Sequence, residues 1–145
     1  MRIFLTGGSG FIGHWVVKEL LERGHSLRLL VRNKGKIPSL GTLPGVELIE
    51  GTLDDHPAIE RGLAGCEACV HIALGWGETP TTMLEKDTAA TVFLLEAAEK
   101  AGVERFLYTS STATLTAAVA LQYPWTLVDF GGRSQTAKLR QLPAK

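Results

Sequence analysis

Residues 2–13 read Arg2-Ile3-Phe4-Leu5-Thr6-Gly7-Gly8-Ser9-Gly10-Phe11-Ile12-Gly13, an apolar run that breaks into a cluster of glycines. A strand feeding a loop is the natural expectation for such a pattern. From Ile12 the apolar residues Val16, Val17, Leu20 and Leu21 recur at helical spacing, with Lys18, Glu19, Glu22 and Arg23 on the other side, until Gly24 supplies a stop. Ser26-Leu27-Arg28-Leu29-Leu30-Val31 then reads as a second strand and completes a βαβ unit.

The loop satisfies two patterns at once. Gly8-x-Gly10-x-x-Gly13 is the general dinucleotide fingerprint, and Thr6-Gly7-x-x-Gly10-x-x-Gly13 is a more specific one. One glycine permits the tight turn out of the strand, another lets a pyrophosphate approach bare backbone, and Gly13 lets the helix pack on the sheet. The pyrophosphate would sit on free N–H groups at the positive end of the helix. A glycine-rich structural turn is the alternative, and the strand before, the amphipathic helix after and the βαβ setting favour nucleotide binding over it. Roughly twenty residues past Gly13, where an acid would hold the ribose hydroxyls of NAD, stands Arg32, followed by Lys34 and Lys36. A guanidinium pairs bidentately with a 2′-phosphate, so NADP is the preferred cofactor, with NAD possible. The competing reading is a solvated basic loop.

The rest of the chain repeats the theme. Val46-Glu47-Leu48-Ile49-Glu50 reads as a third strand, and Asp54 or Asp55 is placed to cap a short helix through Ala58, Ile59 and Leu63, ended by Gly65. A fourth strand is expected at 69–74, a long helix from Thr81 to Ala101 closed by Gly102, and a fifth strand at 105–109. Strands alternating with helices imply an α/β fold, a Rossmann-type doubly wound parallel sheet. Right-handed crossovers give the order 3-2-1-4-5 and a ligand crevice at the carboxyl ends of strands one and four. After about residue 113 the rhythm fades. Asp129 is the one acid after Glu104, and Arg133, Lys138, Arg140 and Lys145 gather at the end. The expected division is a dinucleotide-binding domain over 1–115 and a divergent or truncated tail over 116–145.

The composition sets the remaining limits. At 145 residues, 45% hydrophobic and 21% charged, the chain has apolar material for one domain with a core, which excludes disordered, collagen-like and disulfide-scaffold classes. Fifteen Lys+Arg balance fifteen Asp+Glu, leaving no strong field of one sign for nucleic acid or an anionic membrane. No apolar run approaches the roughly eighteen residues of a membrane span, and the start of the chain turns polar and glycine-rich within five residues. The expected partners are therefore a dinucleotide and an unidentified small-molecule substrate, with homo-oligomerisation open and a cytoplasmic location the default. Cys66 and Cys69 have C-x-x-C spacing but no further ligands at comparable spacing and no helix start beside them. They read as small core residues, and His71 in the same apolar run reads as a strand histidine with a hydrogen-bond partner.

With Thr6-Gly7-Gly8-Ser9-Gly10-Phe11-Ile12-Gly13 and Leu30-Val31-Arg32 in place, the chain resembles the short-chain dehydrogenase/reductase superfamily. More narrowly it is similar to the extended branch of NAD-dependent epimerases/dehydratases and dihydroflavonol-reductase-like enzymes. The segments 63–73 and 103–111 resemble that branch's fourth and fifth strands, so the likeness covers residues 1 to about 113. It implies that Gly7, Gly10, Phe11 and Ile12 line the pyrophosphate, Arg32 the adenosine phosphate, Thr52 and Leu53 the adenine, Ala73 the nicotinamide-side ribose and Thr109 the cofactor's reactive end. Ser111 falls at the branch's catalytic serine. Hydride transfer at a carbonyl or hydroxyl carbon is the activity implied for the complete enzyme.

The chain also departs from the branch. Thr52 stands where an Asp is usual, a change that bears on the adenine amino contact, and Asp87 where an Asn is usual, a change that bears on a structural hydrogen bond. The Tyr-x-x-x-Lys that exchanges and tunes the substrate proton is missing: Tyr108 is followed four on by Thr112 and Tyr123 by Leu127, while Ser134-Gln135-Thr136-Ala137-Lys138 keeps the spacing with a serine. A non-catalytic dinucleotide-binding or redox-sensing module, or an inactive fragment, is therefore the alternative reading. The later strands and the substrate region of extended members are also missing, and truncation or an altered frame near residue 115 is expected, which the downstream nucleotide sequence tests.

Overall fold

Five of the apolar runs become strands of one sheet: β1 (Arg2–Thr6), β2 (Ser26–Val31), β3 (Val46–Glu50), β4 (Ala68–His71) and β5 (Arg105–Tyr108). The structure, a computed structural model, describes residues 1–75 and 77–110. The strands run in the order β3-β2-β1-β4-β5 and every neighbouring pair is parallel, as the crossover argument requires. The connections carry helices α1 (Phe11–Glu22), α2 (Pro38–Gly41), α3 (His56–Leu63) and α4 (Pro80–Lys100).

Side chains alternate across β1 because a strand has a period of two. Ile3 and Leu5 join Val17 of α1 and Leu27 and Leu29 of β2 in one apolar cluster. Phe4 points the other way, into a cluster with Ile59 and Leu63 of α3 and Leu94 and Ala98 of α4. Both faces of the sheet are thus covered, which is the condition under which an all-parallel sheet is found. The two cysteines belong to the second cluster: Cys66 and Cys69 are buried free thiols, and Cys66 Sγ lies 3.3 Å from the Gly62 carbonyl.

Local chemistry fixes the element ends. Asp55, rather than Asp54, caps α3 by accepting the Ala58 N–H at 3.1 Å. Thr79 and Thr82 form a reciprocal capping box at the start of α4. At the far end of α3 the Arg28 guanidinium, held by Glu47 at 2.7 Å, donates to the Ala64 carbonyl at 2.6 Å and so satisfies an acceptor that the helix leaves open. Glycines 24, 65 and 102, read as helix stops, all have positive φ.

Two readings need correction. The fourth strand ends at His71, not at residue 74: the Ile72 N–H still reaches the Thr6 carbonyl at 3.2 Å, but the Ala73 N–H turns to the Thr6 hydroxyl at 3.3 Å, which takes the chain across the glycine loop. The short turn Lys34–Lys36, capped by Asn33, and α2 were not foreseen, because four residues are too few for a period to show. The expected tail, 116–145, lies outside the described residues. No helix among the described residues is long and apolar enough to cross a membrane.

Candidate dinucleotide cleft

The cleft forms where the chain leaves the carboxyl ends of four strands, β1, β2, β3 and β4. Its volume is about 650 Å³, and Gly7, Gly10, Phe11, Ile12, Gly13, Arg32, Thr52, Leu53 and Ala73 all line it. Of the residues singled out in the sequence for cofactor contact, Thr109 is not in the lining, and its N–H donates to the His71 carbonyl at 2.9 Å. Ser111 lies outside the described residues, as do Trp76, Tyr123, Ser134 and Lys138.

The glycine loop is shaped by close backbone approaches. Gly7 has φ +78°, and a Cβ there would stand 2.6 Å from the Ala73 amide nitrogen. The loops after β1 and β4 therefore cross backbone against backbone, which only glycine allows. A methyl group at Gly13 would run into the Gly7 carbonyl oxygen, so α1 is seated directly on the turn. Gly10 is different: a Cβ there would meet that oxygen at 3.3 Å and nothing else within 4 Å. Its bareness serves the open side of the loop.

Gly10 is also the N-cap of α1, with no side-chain cap and no acid in the first turn. The first helical bond runs from the His14 N–H to the Gly10 carbonyl at 2.9 Å. The amides of Phe11, Ile12 and Gly13 accordingly have no acceptor within the helix, and the positive end of its dipole opens on the cleft. An anion is the ligand such a concavity suits. Across the cleft Arg32 directly follows β2, exposed and without an ion-pair partner among the described residues, whose four salt bridges involve other groups. Lys34 and Lys36 follow in the turn capped by Asn33.

Gly51, Thr52, Leu53 and Asp54 form the third wall. Asp54 was weighed in the sequence as a helix cap, and its place in the cleft was missed. Ser9, Leu30 and Leu74 were missed as well, because nothing in their types marks them.

Beneath the cleft lie Thr6 and His71, both fully buried. The Thr6 hydroxyl and His71 Nδ1 are 2.6 Å apart, and His71 Nε2 is 3.2 Å from the Thr91 hydroxyl. His71 is thus the partnered strand histidine that its run suggested. Burial lowers its pKa, against an opposing pull from Asp87. Asp87, which the sequence marked as a departure from the branch it resembles, makes a hydrogen bond of its own: its Oδ1 accepts the Gly75 N–H at 2.7 Å. The contact needs only an acceptor, which a carboxylate supplies as well as an amide oxygen. Tyr108 reaches the other oxygen at 3.5 Å, and burial and the Asp87 charge raise its pKa. Burial also pushes the Cys66 and Cys69 thiols up, which makes them inert rather than nucleophilic. Among the described residues no three His, Cys, Asp or Glu are grouped so as to hold a metal ion.

The family model described as NAD(P)H-binding matches residues 7–140. Cinnamoyl-CoA reductase 2 of Arabidopsis thaliana is 34% identical over 141 residues, covering 88% of this chain and 42% of that protein. Among solved structures, vestitone reductase from alfalfa (Medicago sativa) is 30% identical with a TM-score of 0.60, over 75% of this chain and 36% of that one. A short-chain dehydrogenase/reductase superfamily protein from Agrobacterium tumefaciens, with NAD bound, is 30% identical with a TM-score of 0.63, over 77% and 33%. The chain therefore spans between a third and somewhat over two fifths of the length of these relatives.

Proposed function

The chain belongs to the NAD(P)H-binding family and forms the NAD(P)-binding domain of the extended short-chain dehydrogenase/reductase type, and from that premise we propose that it prefers NADP(H) and serves hydride transfer at a carbonyl or hydroxyl carbon in the complete enzyme. The observation that carries the cofactor preference is the Arg32 guanidinium, exposed at the rim of the cleft and without an ion-pair partner among the described residues. An acid at that place would repel a 2′-phosphate, whereas a free guanidinium can pair with it bidentately.

The donor set fits a dinucleotide. The bare backbone at Gly10 and the first-turn amides of α1 suit a pyrophosphate, so Gly7, Gly10, Phe11, Ile12 and Gly13 would hold it. Arg32 would take the adenosine phosphate, Thr52 and Leu53 the adenine, Ala73 the nicotinamide-side ribose, and Thr109 and Ser111 would lie toward the reacting end. When bound, the nicotinamide supplies or accepts the hydride. The chain's own part is to fix the anion with backbone dipoles that need no reorganisation, and to turn one face of the cleft toward the substrate.

Calorimetric titration with NADPH and NADH tests this reading. We expect NADPH to bind at least about tenfold more tightly, and Arg32→Ser to remove that preference while changing NADH affinity little. Equal affinities in the unsubstituted chain, or tighter NADH, would overturn it.

A further inference from the structure

Among the described residues, Thr6 and His71 are the buried polar side chains in an otherwise apolar interior. Burying a hydroxyl and an imidazole costs free energy unless both are fully hydrogen-bonded, and here the bonds lead to the cleft wall. The loop after β4 leaves the ladder at Ile72, so the Ala73 N–H has the Thr6 hydroxyl oxygen, at 3.3 Å, as its acceptor. A hydroxyl that accepts there must place its single proton elsewhere. His71 Nδ1, 2.6 Å away, takes it, and the Nε2–H then donates to Thr91, so the network assigns the neutral Nε2–H tautomer. The far end of the same loop is tied to α4 by the Gly75–Asp87 bond at 2.7 Å. Between those two ties Ala73 lines the cleft and crosses Gly7 backbone to backbone.

We propose that neutral His71 is a positioning residue for the dinucleotide: through Thr6 it sets the Ala73 amide, and with it the wall that faces the glycine loop, and its protonation releases that wall and weakens dinucleotide binding. The proposal rests on the reading of the cleft given above. A protonated ring turns Nδ1 from acceptor to donor. The Thr6 oxygen then faces two N–H donors, and its own proton loses the acceptor it had.

The groups around the ring set where this happens. Asp87 on α4 presents a carboxylate, Tyr108 on β5 a phenol with ring centroids 5.5 Å apart, β1 the uncharged Thr6, and β4 itself the Cys69 thiol two residues back. Burial outweighs the attraction of Asp87, so the ring is neutral at pH 7 and takes up its proton below its ordinary value of 6.5.

The test is a pH titration of the full 145-residue chain from about pH 8 to about pH 5, read two ways. Amide NMR follows Ala73 in the free protein, and calorimetry follows NADH, which lacks the 2′-phosphate that would titrate near pH 6 and confuse the profile. The expected result is an Ala73 resonance that moves with the His71 ring, and an NADH affinity that falls about tenfold through the same midpoint. His71→Asn, whose amide oxygen can replace Nδ1 as acceptor but cannot titrate, should flatten both profiles. An Ala73 amide that stays still while the ring titrates overturns the positioning role, and it does so without any variant having to fold. NADH binding that ignores the titration, with Ala73 moving, overturns the link to the cofactor. No dinucleotide binding at any pH, with Ala73 still following the ring, overturns the reading of the cleft and leaves the hydrogen-bond relay standing.

Discussion

At Gly13 a methyl group would collide with the Gly7 carbonyl oxygen, whereas at Gly10 it would meet that oxygen at 3.3 Å, a contact relieved by a few tenths of an ångström. Substitution should separate the two roles. Gly13→Ala is expected to destabilise the chain by about 2–3 kcal/mol, because the clash is with backbone that cannot swing away. Gly10→Ala should cost about 1 kcal/mol, the usual loss at an N-cap, yet weaken dinucleotide binding about tenfold or more by filling the concavity. Urea denaturation and cofactor titration of both variants check this, and equal stability losses would refute the distinction. Both glycines were legible in the sequence because their spacing is itself the signal. Thr6 and His71 were not legible as a pair: each looks like an ordinary strand residue, and their 65-residue separation hides the bond until β1 and β4 lie side by side. Asp54 shows the opposite failure, since the two adjacent acids offered equal caps and only the backbone turn between Thr52 and Asp55 assigns one to the helix and one to the cleft.

At the level of elements, that assignment is open to measurement. Asp55→Ala should cost about 1 kcal/mol of stability, while Asp54→Ala should change it by less than about 0.5 kcal/mol, since Asp55 and not Asp54 accepts an α3 amide. Chemical denaturation of both variants under one set of conditions decides it. The five strands were readable because each is an apolar run bounded by turn residues, and their order followed from right-handed crossovers in a sheet covered on both faces. The end of β4 was not readable. Ile72, Ala73 and Leu74 continue the apolar run without a break, and what bends them away is the Thr6 side chain on another strand. Composition cannot report a turn whose cause is a distant hydroxyl.

For the whole molecule, the buried titratable groups predict a stability plateau with two shoulders. His71 has its folded pKa lowered, so the stability tied to its neutral form is present above 6.5 and is lost as pH falls through the folded value. Cys66, Cys69 and Tyr108 have theirs raised above ordinary values of 9.0, 9.0 and 10.0, so their contribution is complete below those values and is lost as pH rises past them. Guanidinium denaturation should therefore show maximal stability between about pH 6.5 and 9, and Cys69→Ala should reduce the alkaline fall. A fall that begins at neutral pH would contradict the burial of these groups. The parallel order also has a consequence in time. β1 is the central strand and precedes both its partners in the chain, yet its partner on one side starts at Ser26 and its partner on the other only at Ala68. Until Ala73 has been synthesised and laid across Gly7, the glycine loop has no roof. The nascent chain thus carries its nucleotide fingerprint well before the residues that roof it and acquires a competent cleft only after Ala73 has emerged, so dinucleotide in the cell can stabilise the stages of vectorial folding that follow Ala73 and not those before it.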